Sequence, residues 1–163
     1  MGGTPRRNQN DLMPSQRLLI VTALVLLLLG SCSEERGDRK ETFPVTGRVV
    51  VDGRPPSSPI KITCHNLAGI DKQDPTYSWC MTGEEGRFSL STYESGDGVP
   101  PGEYALTFFW GEMNLISMSY GGQDKLGGQY DSPEESPATF TVKPGEPTDL
   151  GKIELATDQK DEG

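Results

Sequence analysis

The sequence predicts an all-β fold, a β-sandwich of about seven strands. Glycine and proline, with 20 and 13 residues, make up about a fifth of the 163-residue chain, and both residue types interrupt helices. From Phe43 onwards, short runs alternate apolar and polar residues, as strands with one buried face do. Gly, Pro and Asp separate these runs, which indicates turns between them.

The alternating runs are residues 43–51, 60–64, 77–82, 88–90, 104–110, 138–142 and 153–155. The fifth run predicts one buried strand face, because apolar residues recur at every second position: Tyr104, Leu106, Phe108 and Trp110. The segment Gly83-Glu84-Glu85-Gly86 predicts a hairpin turn. The 27-residue connection 111–137 is long and rich in apolar residues, which predicts that part of it packs onto the domain.

The charge of the chain excludes one class of partner. The net charge is -9 at pH 7, whereas contacts to nucleic-acid phosphates need Lys and Arg. We therefore expect no nucleic-acid partner.

The first part of the chain has the features of an export signal. Residues 18–29 are apolar except for Thr22, and this run is shorter than the roughly 20 residues that span a membrane. Arg6, Arg7 and Arg17 precede it, as basic residues precede the apolar core of a secretory signal. A compact signal begins at Met13, so Met13 is the expected true start.

The apolar run ends in Leu29-Gly30-Ser31-Cys32, which resembles the lipobox of bacterial lipoproteins. The resemblance implies cleavage between Ser31 and Cys32, lipid on the Cys32 thiol and a membrane as partner through that lipid. Ser33 favours the outer over the inner membrane of the cell envelope. The alternatives are a plain signal peptide with an incidental cysteine and an uncleaved anchor.

These features divide the chain into four parts. Residues 1–31 are the expected signal peptide, 32–42 the lipidated cysteine and a flexible polar tether, 43–156 the β-sandwich and 157–163 a disordered tail. Removing residues 1–31 from the 163 leaves 132. Three of the 15 basic and one of the 24 acidic residues are removed with them, so the remaining net charge is -11.

Three turn motifs resemble the carboxypeptidase regulatory-like, transthyretin-like domains of small bacterial lipoproteins. The motif residues are Gly47, Val49, Asp52, Gly53 and Pro55; Thr82, Gly86 and Phe88; and Gly96, Asp97, Gly98, Pro100, Gly102 and Tyr104. The segment 130–137 matches a further element of these domains. The resemblance implies a seven-stranded Greek-key sandwich of the prealbumin (transthyretin) type. It implies no catalytic residues.

Cys64 and Cys80 lie on runs that are candidates for neighbouring antiparallel strands. Because an exported compartment permits disulfides, we expect a bond between them. The alternative is two buried free thiols that pack as small apolar side chains. A zinc site is disfavoured, since the adjacent residues Cys64 and His65 point to opposite faces of a strand.

No catalytic motif accompanies His65, the one histidine of the chain, so a surface role is favoured over that of a general base. Glu94, Asp97, Asp71 and Asp74 are loop acids without the spacing of a calcium loop. Asp97, between two glycines, is better explained as a turn residue. We expect no metal, no cofactor and no enzymatic activity.

The aromatic residues offer one candidate binding site. Tyr77, Trp79, Tyr104 and Trp110 have ring faces suited to a sugar, but Tyr104 and Trp110 belong to the predicted core stripe. Trp79 is therefore the expected exposed ligand contact. The sequence favours a membrane-anchored, non-catalytic structural or binding module. The alternative is a carbohydrate- or peptide-binding envelope protein that uses Trp79 and the 111–137 loop, with an envelope glycan or protein as partner.

Overall fold

The fold is known from a computed structural model that describes residues 39–157. The expected signal peptide 1–31, its cleavage site at Ser31, the lipidation site Cys32 and residues 158–163 lie outside the described residues.

The predicted all-β class is confirmed for the described chain. Its nine strands are β1 (Val45–Val51), β2 (Lys61–Asn66), β3 (Ser78–Met81), β4 (Arg87–Ser89), β5 (Gly102–Phe109), β6 (Glu112–Asn114), β7 (Ser119–Gly121), β8 (Thr139–Val142) and β9 (Thr148–Leu155). Two single 3-10 turns, Glu84–Gly86 and Pro133–Glu135, are the helical elements of residues 39–157. Within that range, no helix is long and apolar enough to cross a membrane.

The strands form two larger sheets and a separate hairpin. The first sheet has the order β4-β1-β9, with β1 antiparallel to β4 and parallel to β9. The second sheet has the order β3-β2-β5-β8 and is antiparallel throughout. Strands β6 and β7 pair only with each other among the described strands. The predicted strand segments thus account for the two sheets, whereas β6 and β7 arise within the 111–137 connection.

A single hydrophobic core joins the two larger sheets. Val45, Val49 and Ile153 enter it from the first sheet. The second sheet contributes Ile62 and the predicted stripe of β5, in which Tyr104, Leu106 and Phe108 are buried and Trp110 is partly buried. Each large apolar side chain buried in this way contributes about 1.5–3 kcal/mol to folding. The apolar stripe of β5 therefore faces the core, as its alternation predicts.

Two glycines of the turn motifs are required by close backbone packing. Gly86 has a φ of 75°, and a Cβ there would collide with the carbonyl oxygen of Val49. Gly98 has a φ of 88°, and its Cβ would collide with the carbonyl oxygen of Phe43. Only glycine tolerates both the left-handed conformation and this lack of space. These motif residues are thus explained by the fold alone.

The prediction of a hairpin at residues 83–86 is wrong, because the strands on either side of the turn pair with other strands. A tight turn does form, since the Gly83 N–H donates to the Arg87 carbonyl oxygen at 2.8 Å. However, β3 pairs with β2 and β4 pairs with β1, so the turn carries the chain from one sheet to the other. A single bridge between Trp79 and Ser91 connects the segments on either side of the turn.

The 111–137 connection packs onto the domain, as its apolar content predicts. The Leu126 side chain is fully buried in the core. The Asp124 carboxylate holds the segment in place by accepting hydrogen bonds from the backbone N–H groups of Trp110 and Gly128, at 2.9 and 3.0 Å. The β6–β7 hairpin nevertheless exposes its apolar side chains: Met113, Leu115, Ile116 and Met118.

Both ends of the described chain are held to the domain. The Lys40 ammonium lies 2.9 Å from an Asp71 carboxylate oxygen and 3.7 Å from one of Asp74. At the other end, the Thr157 hydroxyl donates to the Asp52 carboxylate at 2.7 Å. Lys40, which falls within the predicted tether, and Thr157, the first residue of the predicted tail, therefore both contact the domain.

Candidate functional site

A groove of about 470 Å³ lies on the outer face of the second sheet, along β2 and β3. It exists because β2 alternates: Ile62 and Cys64 face the core, whereas Lys61, Thr63 and His65 face outwards. The loop 67–77 supplies the opposite wall through residues that include Ile70 and Asp71.

Two aromatic side chains border this groove. Trp79 is 50% exposed and Tyr77 is 66% exposed. Since they stand two positions apart in extended chain, both side chains lie on the same face of the sheet. Exposed aromatic rings in a groove provide flat apolar surfaces for a ligand. The predicted exposure of Trp79 is confirmed, and its partner in the groove is Tyr77.

A lysine lies beside the Trp79 ring. The Lys61 ammonium is 5.9 Å from the centre of that ring, within the range of a cation–π contact. The backbone register explains this contact, because Thr63 pairs directly with Trp79 and Lys61 is two positions away on the same face. The groove therefore combines an aromatic surface with a positive charge.

The far wall of the groove is fixed by charge pairing. The Asp71 carboxylate accepts hydrogen bonds from the Lys40 ammonium and the backbone N–H of Gln73, at 2.9 and 3.0 Å. These bonds lower the pKa of Asp71, and the same carboxylate raises the pKa of Lys40. Lys40 also donates to the Asp74 carbonyl oxygen at 2.9 Å. The 67–77 loop is therefore held to the segment that enters the domain.

His65 lies on the floor of the groove, bonded to β5. Its Nε2 is 2.8 Å from the Thr107 hydroxyl oxygen. Partial burial lowers the pKa of His65, against an opposing effect of the Glu134 carboxylate, so the ring is neutral at pH 7. The Thr107 side chain is only 8% exposed, which keeps its hydroxyl away from a substrate. The pair therefore has the geometry of a structural hydrogen bond between strands.

The expected disulfide between Cys64 and Cys80 is not present in the structure, where both residues are free, buried thiols. Their strands are antiparallel neighbours, as expected, but Cys64 lies opposite Ser78 and Cys80 lies opposite Ile62. Diagonal neighbours of this kind have Cα atoms about 7–8 Å apart, beyond the usual span of a disulfide. Burial raises the pKa of Cys80 to about 12 and raises that of Cys64 as well.

The loop acids serve as structural acceptors. The Asp97 carboxylate accepts hydrogen bonds from the backbone N–H groups of Thr92, Tyr93 and Glu94, at 2.7, 3.0 and 3.1 Å. This confirms its prediction as a turn residue. Within residues 39–157, no cluster of three or more His, Cys, Asp or Glu side chains is arranged to hold a metal ion.

The structure separates the two parts of the predicted carbohydrate or peptide site. Lys40 and residues between 61 and 79 line the groove, and the 111–137 loop does not contribute to it. The β6–β7 hairpin contacts the chain at the Lys61 end of β2, where Tyr120 donates to the Pro59 carbonyl oxygen at 2.7 Å. The roles of Lys61 and the 67–77 loop were missed, although the outward position of Lys61 follows from the alternation of β2.

Comparisons with known proteins give one weak similarity. No protein-family model matches the chain. No curated protein matches it either. The chain is similar to part of a 9R-lipoxygenase from Cyanothece PCC8801, with 15% identity and a TM-score of 0.36. That alignment covers 87% of this chain and 20% of the lipoxygenase, so the chain spans about a fifth of its length. A similarity this low carries no argument about fold or activity.

Proposed function

We propose that this protein is a lipid-anchored lipoprotein of the bacterial cell envelope whose β-sandwich is a non-catalytic binding module. The groove along β2 and β3 carries this proposal, because the exposed Trp79 and Tyr77 rings both line this one concave surface. The ligand binds there, and the core behind β2 keeps the rings in place.

The proposed sandwich is the seven-stranded Greek-key form of transthyretin-like domains. In its support, the two larger sheets contain three and four strands around one core. The parallel pairing of β1 with β9 places the start and the end of the domain side by side in one sheet. The β6–β7 hairpin is then an insertion between the strands of this sandwich.

The proposed anchor is a lipid on Cys32 after cleavage at Ser31, with the outer membrane as the destination. Its support is the lipobox and the apolar run before it. Six residues lie between Cys32 and Arg39, the first described residue.

A carbohydrate is the favoured ligand, with an envelope glycan as its source. Adjacent exposed aromatic rings suit the apolar faces of sugar rings. A peptide adding itself as a strand is less favoured, because the outer edge of β3 already bonds to the chain: the Trp79 N–H donates to the Ser91 carbonyl oxygen at 3.0 Å, and the reverse bond is 3.2 Å.

A glycan array probed with the purified protein tests this function. The wild type should give a signal on a subset of glycans, and Trp79→Ala should lose it. Ile116→Ala is the matched control, since this side chain is 97% exposed between β6 and β7 and does not line the groove. A signal that survives Trp79→Ala, or that Ile116→Ala also removes, would contradict the groove as the site.

The anchor is tested separately by intact mass of protein extracted from membranes. The expected species begins at Cys32 and carries the mass of the lipid. An unmodified species would overturn the anchor and leave the binding proposal to stand on the groove alone.

A further inference from the structure

We infer that the groove selects acidic saccharides, in which a carboxylate on the sugar ring pairs with Lys61 while the ring stacks on Trp79. This inference rests on the proposed function, since it specifies the ligand class of the same groove. Its basis is the position of Lys61 beside Trp79 and the lack of an acidic partner for Lys61 among residues 39–157.

Lys61 is a cation without an acidic partner in the described chain. Its side chain is exposed, and no carboxylate of residues 39–157 lies within 4.0 Å of its ammonium group. Its one specific contact in that range is the ring of Trp79, at 5.9 Å. A ligand carboxylate can therefore pair with Lys61 without displacing an ion pair of the protein.

A second lysine of the protein also lies beside a tryptophan ring, but this lysine has an acidic partner. Lys125 lies 5.3 Å from the centre of the Trp110 ring, but its ammonium is paired with Glu112 at 3.0 Å. Trp110 is also partly buried, with its indole N–H donating to the Ser58 hydroxyl at 2.8 Å. The Lys125–Trp110 pair is thus occupied by the protein itself, whereas the Lys61–Trp79 pair faces an open groove.

The charged side chains that line the groove differ in whether they are paired. Lys40, Lys61 and Asp71 line it, but Lys40 is already paired with Asp71 and Asp74, so Lys61 is the cation of this lining that no carboxylate of residues 39–157 pairs. The whole chain carries -9. Charges farther away than about 8 Å are largely screened at physiological salt, so the local lysine governs the approach of a ligand group. An anionic ligand group can therefore pair with Lys61 although the chain as a whole is acidic.

The remaining lining supplies polar contacts for a sugar. Thr63 pairs directly with Trp79 across the two strands, so its hydroxyl stands beside the aromatic surface. Within the described chain this hydroxyl makes no hydrogen bond, and it can donate to or accept from a sugar hydroxyl. Stacking on Trp79 fixes the ring, and Lys61 then distinguishes sugars that bear a carboxylate from those that do not.

The test uses the purified full chain and calorimetric titration with oligosaccharides of galacturonate, mannuronate and glucuronate, each compared with its fully methyl-esterified form. Esterification removes the charge and retains the sugar face. We expect the acids to bind about fivefold more tightly than the esters, as one partly exposed ion pair allows, with a difference that shrinks as salt rises.

Three variants assign the effect to residues. Lys61→Gln should remove the preference for the acids and leave the affinity for the esters unchanged. Trp79→Ala should abolish binding of both forms. Lys125→Gln, the matched control beside Trp110, should behave as wild type.

Two results would overturn the inference in different ways. Equal binding of acids and esters, or a preference that Lys61→Gln retains, would reject the acidic class while saccharide binding stands. Failure of the wild type to bind any member of the panel, acid or ester, would reject this inference alone if the glycan array gives a signal, and would reject the saccharide ligand of the proposed function as well if the array gives none.

Discussion

The Tyr104 hydroxyl donates a hydrogen bond of 2.9 Å to the carbonyl oxygen of Pro100, four residues earlier in the chain. Both groups are buried, and burial raises the pKa of Tyr104 to about 12. The bond closes the turn that leads into β5, the strand with the main apolar stripe. Tyr104, the last residue of the third turn motif, therefore stabilises the turn through this hydrogen bond and also packs in the core.

Tyr104→Phe should lower the free energy of unfolding by about 1–3 kcal/mol, because it leaves the buried Pro100 carbonyl without its partner. Urea unfolding followed by fluorescence measures this difference. Tyr77→Phe is the control, since this side chain is exposed, and it should leave stability unchanged. Equal changes in the free energy of unfolding for the two variants would mean that the hydrogen bond between Tyr104 and Pro100 does not stabilise the fold.

Gly86→Ala should destabilise the protein by about 2–4 kcal/mol, because the added methyl group meets the Val49 carbonyl oxygen and φ is 75°. Gly83→Ala, at the other end of the same turn, has negative φ and its nearest atom is 3.7 Å away. It should be tolerated. Thermal unfolding of the two variants makes the comparison, and a tolerated Gly86→Ala would contradict the close packing described for this turn.

Cys64 and Cys80 should resist thiol reagents in the folded protein, since both are buried and their raised pKa values disfavour the reactive thiolate. Titration with a chromogenic disulfide should detect no fast-reacting thiol from this pair under native conditions. After denaturation without reductant it should detect two thiols if Cys32 carries lipid and three if it does not. No reactive thiol in the lipidated, denatured protein would show that Cys64 and Cys80 are bonded and would contradict this prediction.

Stability should fall as the pH rises above about 9. The Cys80 thiol has an ordinary pKa of 9.0, which burial raises to about 12 in the folded state. Its contribution is therefore fully present below pH 9, where both states hold the proton, and is lost progressively between pH 9 and 12. The loss is at most about 1.4 kcal/mol per pH unit for this thiol. Urea unfolding at pH 8 and pH 10.5 measures it, and Cys80→Ala should reduce the slope; an unchanged slope would assign the effect to other groups.

Mutations in the 111–137 connection should change stability by very different amounts, depending on whether the side chain is buried. Leu126→Ala should cost about 2–5 kcal/mol, because this side chain is fully buried in the core. Ile116→Ser should stay within about 0.5 kcal/mol of wild type, because the hairpin exposes that side chain. Denaturant unfolding distinguishes them, and comparable losses would show that the hairpin is packed in solution.

The sequence by itself determined the class of the fold and much of its core. Alternation in the run 104–110 predicts the buried face of β5, because a strand places successive side chains on opposite sides. The turn residues could also be predicted, because local conformation explains Gly86 and local hydrogen bonding explains Asp97. The exposure of Trp79 was also predicted, by excluding it from the apolar stripe of β5.

Only the tertiary structure decided which strands pair, and at what register. Register places Cys64 and Cys80 diagonally, which removes the expected disulfide, and it places Lys61 beside Trp79. The strand pairing also makes the 83–86 turn connect one sheet to the other. The 111–137 loop does not line the groove. Local sequence does not encode these relationships, because pairing is selected by the whole core: a strand takes the partner and register that bury its apolar face against every other strand at once.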